Sequence, residues 1–398
     1  MIIKQKKSLD LIMKGCLFLY FFFAFFAQYT SFSIPRVMST LCVLLLIFDV
    51  INLHRLSFYR NLGIVFLFGG YIIINSFLFA LNRQNALENC VNLIAYMSVM
   101  TAIYIYVESN TTKLLDILWG LTIPISCLAL FVLVAPTTLR SGAITFGSLN
   151  VNDLSSYIAV GITADLVLLS YYFDKKTIRS IILASIVIEI IAQILCASRR
   201  GIIVVGIIIL GYIYFFIDVR NRKHWLKRIL ILLVVGLIIF MGLSDIVENT
   251  DLVVVQRLTQ HENTVAGDIV RKRIQGIAYE LFKQYPIFGT GYGYMTAYAG
   301  LYSHHMYLEL LACTGVVGLL IIISYIVYSG VFFWLRGKTI KDPRYSLMSQ
   351  GVFLLVVSTL AGGLANVYIY HMHFYVMLAI IAATRNVIMN LENDEIAQ

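Results

Sequence analysis

LLACTGVVGLLIIISYIVYSGVFFWL, residues 310–335, runs for 26 residues without a charged side chain, with Glu309 before it and Arg336 after it. A helix rises 1.5 Å per residue, so this run exceeds the ~20 residues that cross a ~30 Å hydrocarbon core. In lipid, only a helix or a closed barrel satisfies every backbone donor and acceptor. Comparable apolar runs recur along nearly the whole chain, and they predict helices near 11–28, 34–51, 62–81, 86–107, 114–134, 154–172, 178–196, 201–217, 229–243, 305–334, 347–366 and 369–389. The expectation is an all-α polytopic membrane protein of about 12 transmembrane helices, with residues 1–398 forming a single membrane domain. Composition agrees: the 398 residues are 60% hydrophobic and 13% charged, whereas a soluble domain carries about 25% charged residues. The first apolar run leads into a second after a short polar break, which is not the pattern of a cleavable signal peptide. Six cysteines are scattered through the chain without a CxxC pair and read as small core residues, not a disulfide framework or a metal site.

The net charge of +9 has a simple cause. With a cytoplasmic N-terminus, 20 of the 30 basic residues fall on inner segments, among them Lys4, Lys6, Arg55, Arg60, Lys175, Lys176, Arg220, Arg222, Lys223, Lys227, Arg228, Arg336, Lys338 and Arg344. Five of the remaining ten lie in one long loop, so the short loops follow the positive-inside rule, with both termini cytoplasmic. The charge orients the protein in its bilayer and implies no nucleic-acid partner.

The long loop covers residues 244–303 on the expected outer side, and a loop of this length usually has work of its own. Within it, residues 268–285 (DIVRKRIQGIAYELFKQY) repeat with a helical period, placing Val270, Ile274, Ile277, Ala278, Leu281, Phe282 and Tyr285 on one stripe. Arg271 leans toward the stripe, Arg273 lies about 100° to its other side, and Lys272 points nearly opposite. The bland alternative is an interfacial helix with snorkelling arginines. Pro286 ends the helix, and Gly289, Gly291 and Gly293 in IFGTGYGY permit tight turns. No strand precedes these glycines and no nucleotide-binding helix follows, so the segment reads as a close-packed turn that aims what comes next.

What comes next is Ser303-His304-His305-Met306-Tyr307-Leu308, at the expected outer mouth of the tenth span. Imidazoles there suit proton transfer near neutral pH, or else they anchor the helix end. No zinc-ligand set accompanies them, and the nearest acid at helical spacing is Glu309, one turn past His305. Ser198-Arg199-Arg200-Gly201 is a second basic point, on the outer side where arginine is disfavoured; an anionic ligand or lipid head groups would account for it. Nearby, Asn150, Asn152 and Asp153 suit the cap of the sixth span. Asp165 and Glu189 fall halfway along adjacent spans, as either a functional intramembrane site or a protonated, hydrogen-bonded pair. A later imidazole pair, His371 and His373, lies in the turn before the last span.

Taken in order, these features resemble the O-antigen polymerase/O-antigen ligase superfamily, the membrane glycosyltransferases of bacterial surface polysaccharide assembly. The resemblance rests on an S-R-x-G arginine at a span end, and on a loop arginine fifteen residues before a Pro-x-x-Gly-x-Gly turn. A histidine with Tyr-Leu at the next helix start and a Gly-x-x-Gly pair complete it. It covers about residues 150–318. By position it assigns diphosphate binding to Arg199 and Arg271, with Arg200 and Arg273 as neighbouring candidates, and general-base catalysis to His304. His305, Tyr307 and Asn152 are supporting candidates, and Gly315 and Gly318 match the glycine pair. The family usually carries asparagine after the histidine, where this chain has His305, so the sequence leaves open which imidazole acts. The resemblance implies polyprenyl-diphosphate-linked oligosaccharides as donor and acceptor, and no cofactor or metal. It also implies a bacterial cytoplasmic membrane location, with a chain-length regulator and a flippase as companion proteins. A transporter of lipid-linked sugars is the rival class; it would call for midplane polar residues and two related halves, and no repeat is visible.

Overall fold

The computed structural model describes residues 2–26, 37–42, 44–45, 62–138, 144–145, 150–196, 198–218 and 262–396. Among them run α1 (Ile2–Phe25), α2 (Gly63–Leu78), α3 (Arg83–Val107), α4 (Thr111–Val134), α5 (Val151–Tyr171), α6 (Lys176–Leu195) and α7 (Arg199–Asp218). After these come α8 (Glu262–Gln284), α9 (Tyr294–Ala299), α10 (Met306–Thr339), α11 (Pro343–Gly363), a 3-10 turn (Tyr368–Tyr370) and α12 (Met372–Ile396). One two-residue ladder, Thr137–Thr138 with Ile144–Thr145, interrupts the helices. Among the described residues seven helices are long and apolar enough to cross a membrane, and α2 is a shorter apolar one. The chain is an all-α polytopic membrane protein. The expected helices at 34–51 and 229–243 lie wholly or largely outside the described residues, as do residues 244–261 of the long loop and the basic cluster from Arg220 to Arg228.

Helix α6 shows why these residues fold this way. Ile181, Val187 and Ile191 are 57%, 54% and 43% exposed, whereas Glu189 and Gln193 are 0% and 2% exposed. A water-soluble helix has the reverse arrangement. Apolar side chains out and polar side chains in is what lipid as a solvent selects.

The helices fall into two units. One comprises residues 1–121, 269–332 and 359–398. In it α3 packs against α12 and α2, with the Tyr96 and Tyr375 rings stacked at 5.6 Å. The middle of α1 and the start of α4 are joined by ion pairs, Lys14 with Asp116 at 2.8 Å and Lys113 with Asp10 at 2.5 Å. The other unit comprises residues 122–268 and 333–358. Its centre is α5, packed on α6 and α7 and buried along most of its length. In the same unit Phe215 meets Trp334 and Phe353 edge-on at 5.8 and 6.0 Å, and Ser346 Oγ and Gln350 Nε2 donate to the Gly337 carbonyl.

Candidate functional site

In the first unit, α10 is broken at Gly315, whose backbone (φ 65°, ψ −172°) is open only to glycine. The break leaves Ala312 and Cys313 carbonyls without the helical amides of Val316 and Val317. The glycine turn fills the gap. Thr290 N donates to Ala312 O and Gly291 N to Cys313 O, each at 2.9 Å, while Val316 N and Val317 N donate to Pro286 O and Ile287 O at 2.9 and 3.4 Å. The remaining carbonyls are met from α2 and beyond: Tyr71 Oη donates to Thr314 O and Asn75 Nδ2 to Phe288 O, both at 2.6 Å, and Leu81 N donates to Thr290 O. Gly289 (φ 72°) lies so close that an added Cβ would stand 2.5 Å from backbone atoms of Cys313 and Thr314. The expected close-packed turn is therefore a splice, in which one segment lends its hydrogen bonds to an interrupted helix.

The splice fixes the beginning of α10, and with it the histidines. His304 adopts φ 57°, an uncommon left-handed conformation for a non-glycine residue. Both its neighbours are tied down. Ser303 N donates to Glu309 Oε2 at 2.7 Å, Ser303 Oγ donates to His305 O at 2.9 Å, and Glu309 N donates to the same His305 carbonyl. The His305 ring caps the helix, its Nδ1 accepting from Leu308 N at 3.3 Å. Burial lowers its pKa, in keeping with a neutral ring that accepts. The His305–Glu309 pair suggested by spacing does not form: Glu309 turns back to Ser303 and outward to Tyr370 Oη, 3.0 Å away. The His304 ring lies 4.6 Å from that of Tyr302.

Two further imidazoles join this end of the unit. Tyr307 Oη donates to Leu360 O at 2.6 Å, and the Tyr368 hydroxyl rests on Gly362, two residues on. Tyr368 meets the His373 ring, which stacks on His371, each pair 5.4 Å apart. The turn carrying them is pinned by Tyr292 Oη and Tyr375 Oη, both donating to Ile369 O. Sequence offered no route to this assembly, because the two histidine pairs are separated by more than sixty residues. Glu309 stands out in the sequence, but spacing pairs it with His305, whereas its partners are Ser303 and Tyr370.

Helix α8 forms as its period predicts. Ile274, Ala278 and Leu281 pack with Met295, Ala312 and Cys313 into one cluster, flanked by Ile277, Tyr294, Ala299 and Leu308. The ends of the stripe differ from expectation, since Val270 and Tyr285 are exposed. Arg271, Lys272 and Arg273 are all exposed as well, so Arg271 does not lie beneath the cluster. The Arg271 helix and the His304 helix thus share a hydrophobic core within one unit.

Arg199, Arg200 and Asn152 belong to the other unit. Arg199 is exposed at the start of α7. Arg200 is half-buried and donates through Nη2 to Asn152 O at 2.8 Å and Ser156 Oγ at 3.4 Å, which gives it a structural task. Asn152 Oδ1 accepts from Ser198 Oγ at 3.4 Å, and the cap of α5 is Asn150, whose side chain accepts from Asn152 N. Gly201 lets α7 close on its neighbours, for a Cβ there would lie 1.7 Å from Ser155 Oγ and 2.2 Å from Gln193 Nε2. A polar seam continues down this unit to the buried acids. Ser126 Oγ lies 2.5 Å from Ser185 Oγ and donates to Glu189 Oε1 at 3.1 Å. Among the described residues both oxygens of Asp165, Glu189 Oε2 and the Gln193 amide make no hydrogen bond. No group of three or more His, Cys, Asp or Glu among the described residues is placed to hold a metal ion.

The O-Antigen ligase family model matches residues 184–323. The matched stretch, about a third of the chain, contains Arg199, Arg271 and His304, and over these residues the chain is similar to that family. No curated protein matches the chain.

Proposed function

We propose, from the O-antigen ligase match across residues 184–323, that this chain polymerises oligosaccharide repeat units carried on polyprenyl diphosphate. The reaction takes place at the outer face of the bacterial cytoplasmic membrane, with both termini inside and the loop of residues 244–303 outside. One lipid-linked unit is the donor and a second is the acceptor. His304 takes the proton from the acceptor hydroxyl, the freed oxygen attacks the anomeric carbon, and the bond from that carbon to the diphosphate oxygen breaks. Attack from the far side inverts the anomeric centre. Diphosphate leaves as an anion and needs no protonating acid, unlike the oxygen of a glycosidic bond. Arg271 supplies a guanidinium to the growing negative charge. Arg199 carries the same assignment from its sequence motif.

The observation that supports this reading is the common cluster beneath the Arg271 helix and the His304 helix, which joins the segments bearing the candidate anion-binding group and the candidate base through one core. The test uses the purified chain in liposomes with lipid-linked repeat units extracted from a host strain lacking it. Elongation to a ladder of longer glycans, in the presence of a chelator, is the expected result. Transfer only to a lipid core or wall acceptor would instead make the chain a ligase.

A further inference from the structure

We propose that Glu309 is a positioning residue: it holds His304 against the outer turn and acts on glycosyl transfer through that geometry alone. The inference rests on His304 as the base. The Glu309 carboxylate has 0% exposure and receives donors from three segments. Ser303 N lies at 2.7 Å, Tyr370 Oη at 3.0 Å and Cys313 Sγ at 3.9 Å. The first of these belongs to the residue just before His304, whose φ of 57° requires fixed neighbours. The second belongs to the turn that leads into the stacked pair His371 and His373. One carboxylate thereby ties the base loop to the turn bearing the second imidazole pair.

Bond geometry and charge make opposite predictions here. Glutamine keeps the length of glutamate. Its carbonyl can accept from Ser303 N while its amide donates to the Tyr370 oxygen, whose own proton turns to Cys313 Sγ, 3.7 Å away. Aspartate keeps the charge but is one methylene shorter, and withdraws from Ser303 N. Positioning therefore predicts that Glu309→Gln stays within a few-fold of the native rate, whereas Glu309→Asp loses about 10²-fold in kcat with KM little changed. A displacement of about 1 Å in a catalytic group has that effect.

The experiment measures elongation of extracted lipid-linked repeat units by Glu309→Gln, Glu309→Asp and His304→Ala, and by the double variant Glu309→Asp/His304→Ala. Unfolding temperatures are recorded for each, with Tyr370→Phe as a milder break of the same tie should Glu309→Asp fail to fold. Support is an active glutamine variant, a weak aspartate variant, and a double variant no slower than His304→Ala, because a residue that acts through another adds nothing once the other is gone. An active aspartate and inactive glutamine variant would overturn positioning in favour of charge. An additive loss in the double variant would show that Glu309 does not act through His304. Full activity of His304→Ala overturns the proposed base together with this inference, while a dead His304→Ala beside fully active Glu309→Asp and Tyr370→Phe overturns the inference alone.

Discussion

Replacing Gly315 by alanine tests the splice most directly. The residue sits at φ 65° and ψ −172°, where a non-glycine residue costs about 1–3 kcal/mol. The added Cβ would also stand 2.1 Å from the Ile287 carbonyl oxygen and 2.7 Å from Phe288 N, and these are backbone atoms that cannot swing aside. The other course is for α10 to straighten. Val316 and Val317 amides would then return to Ala312 and Cys313, and four groups would lose their partners: Thr290 N, Gly291 N, Pro286 O and Ile287 O. At about 1 kcal/mol each, the low end for a buried orphan, that costs about 4 kcal/mol. Either course destabilises by several kcal/mol, enough to lower the unfolding temperature by about 5 °C in a chain of this size. The assay is thermal unfolding in detergent, with Gly276→Ala as the control, since nothing lies within 4 Å of a Cβ at that helical position and alanine favours the helix. Gly315→Ala unfolding at the native temperature, with the amides of Val316 and Val317 exchanging no faster, would refute the splice.

Arg271→Ala and Arg199→Ala should each lower turnover about 10²–10³-fold, or about 2.7–4 kcal/mol, while the protein stays inserted, and Arg→Lys should restore little; normal elongation by both alanine variants removes the diphosphate role. His304→Ala should lose nearly all transfer, whereas His305→Asn should keep most of it, since asparagine is itself a favoured helix cap; comparing the two in elongation assays decides which imidazole acts. Burial lowers the His305 pKa, so the unfolded chain binds that proton more readily than the folded one. Stability should therefore decline as pH drops below the ordinary histidine value of about 6.5, and His305→Asn should flatten that dependence in pH-resolved unfolding. Reporter fusions should read inside at Arg222 and Lys338 and outside at Thr264, and an inside reading at Thr264 contradicts the proposed site.

The helices were legible because lipid imposes a length and a composition that few other environments demand. Observed and expected ends agree within a few residues for most spans; α1 and the last helix run longer, and α10 runs five residues past the expected 334. Helix α8 was legible from Ile274, Ala278 and Leu281 alone, since a period of three to four marks a one-sided core. The break at Gly315 was not. Its glycine appears in TGVVG as one small residue among apolar ones, and its hydrogen bonds come from residues 286–291, whose partnership no local pattern encodes. The meaning of Glu309 was hidden for the same reason. Spacing pointed to His305, one turn away, whereas the real partners are a loop amide and a tyrosine sixty-one residues on.

The interruption of α10 also divides its length. Residues 316–335, after the break, number twenty, and at 1.5 Å per residue they measure about 30 Å, a full hydrocarbon thickness by themselves. The nine residues from Met306 to Thr314, about 13 Å at the same rise, are then surplus to a crossing of that length. In the proposed reaction the glycan unit is hydrophilic and its polyprenyl carrier is not, so the join would be made where the two phases meet. A single glycine thus cuts one long helix into a piece of crossing length and a shorter one.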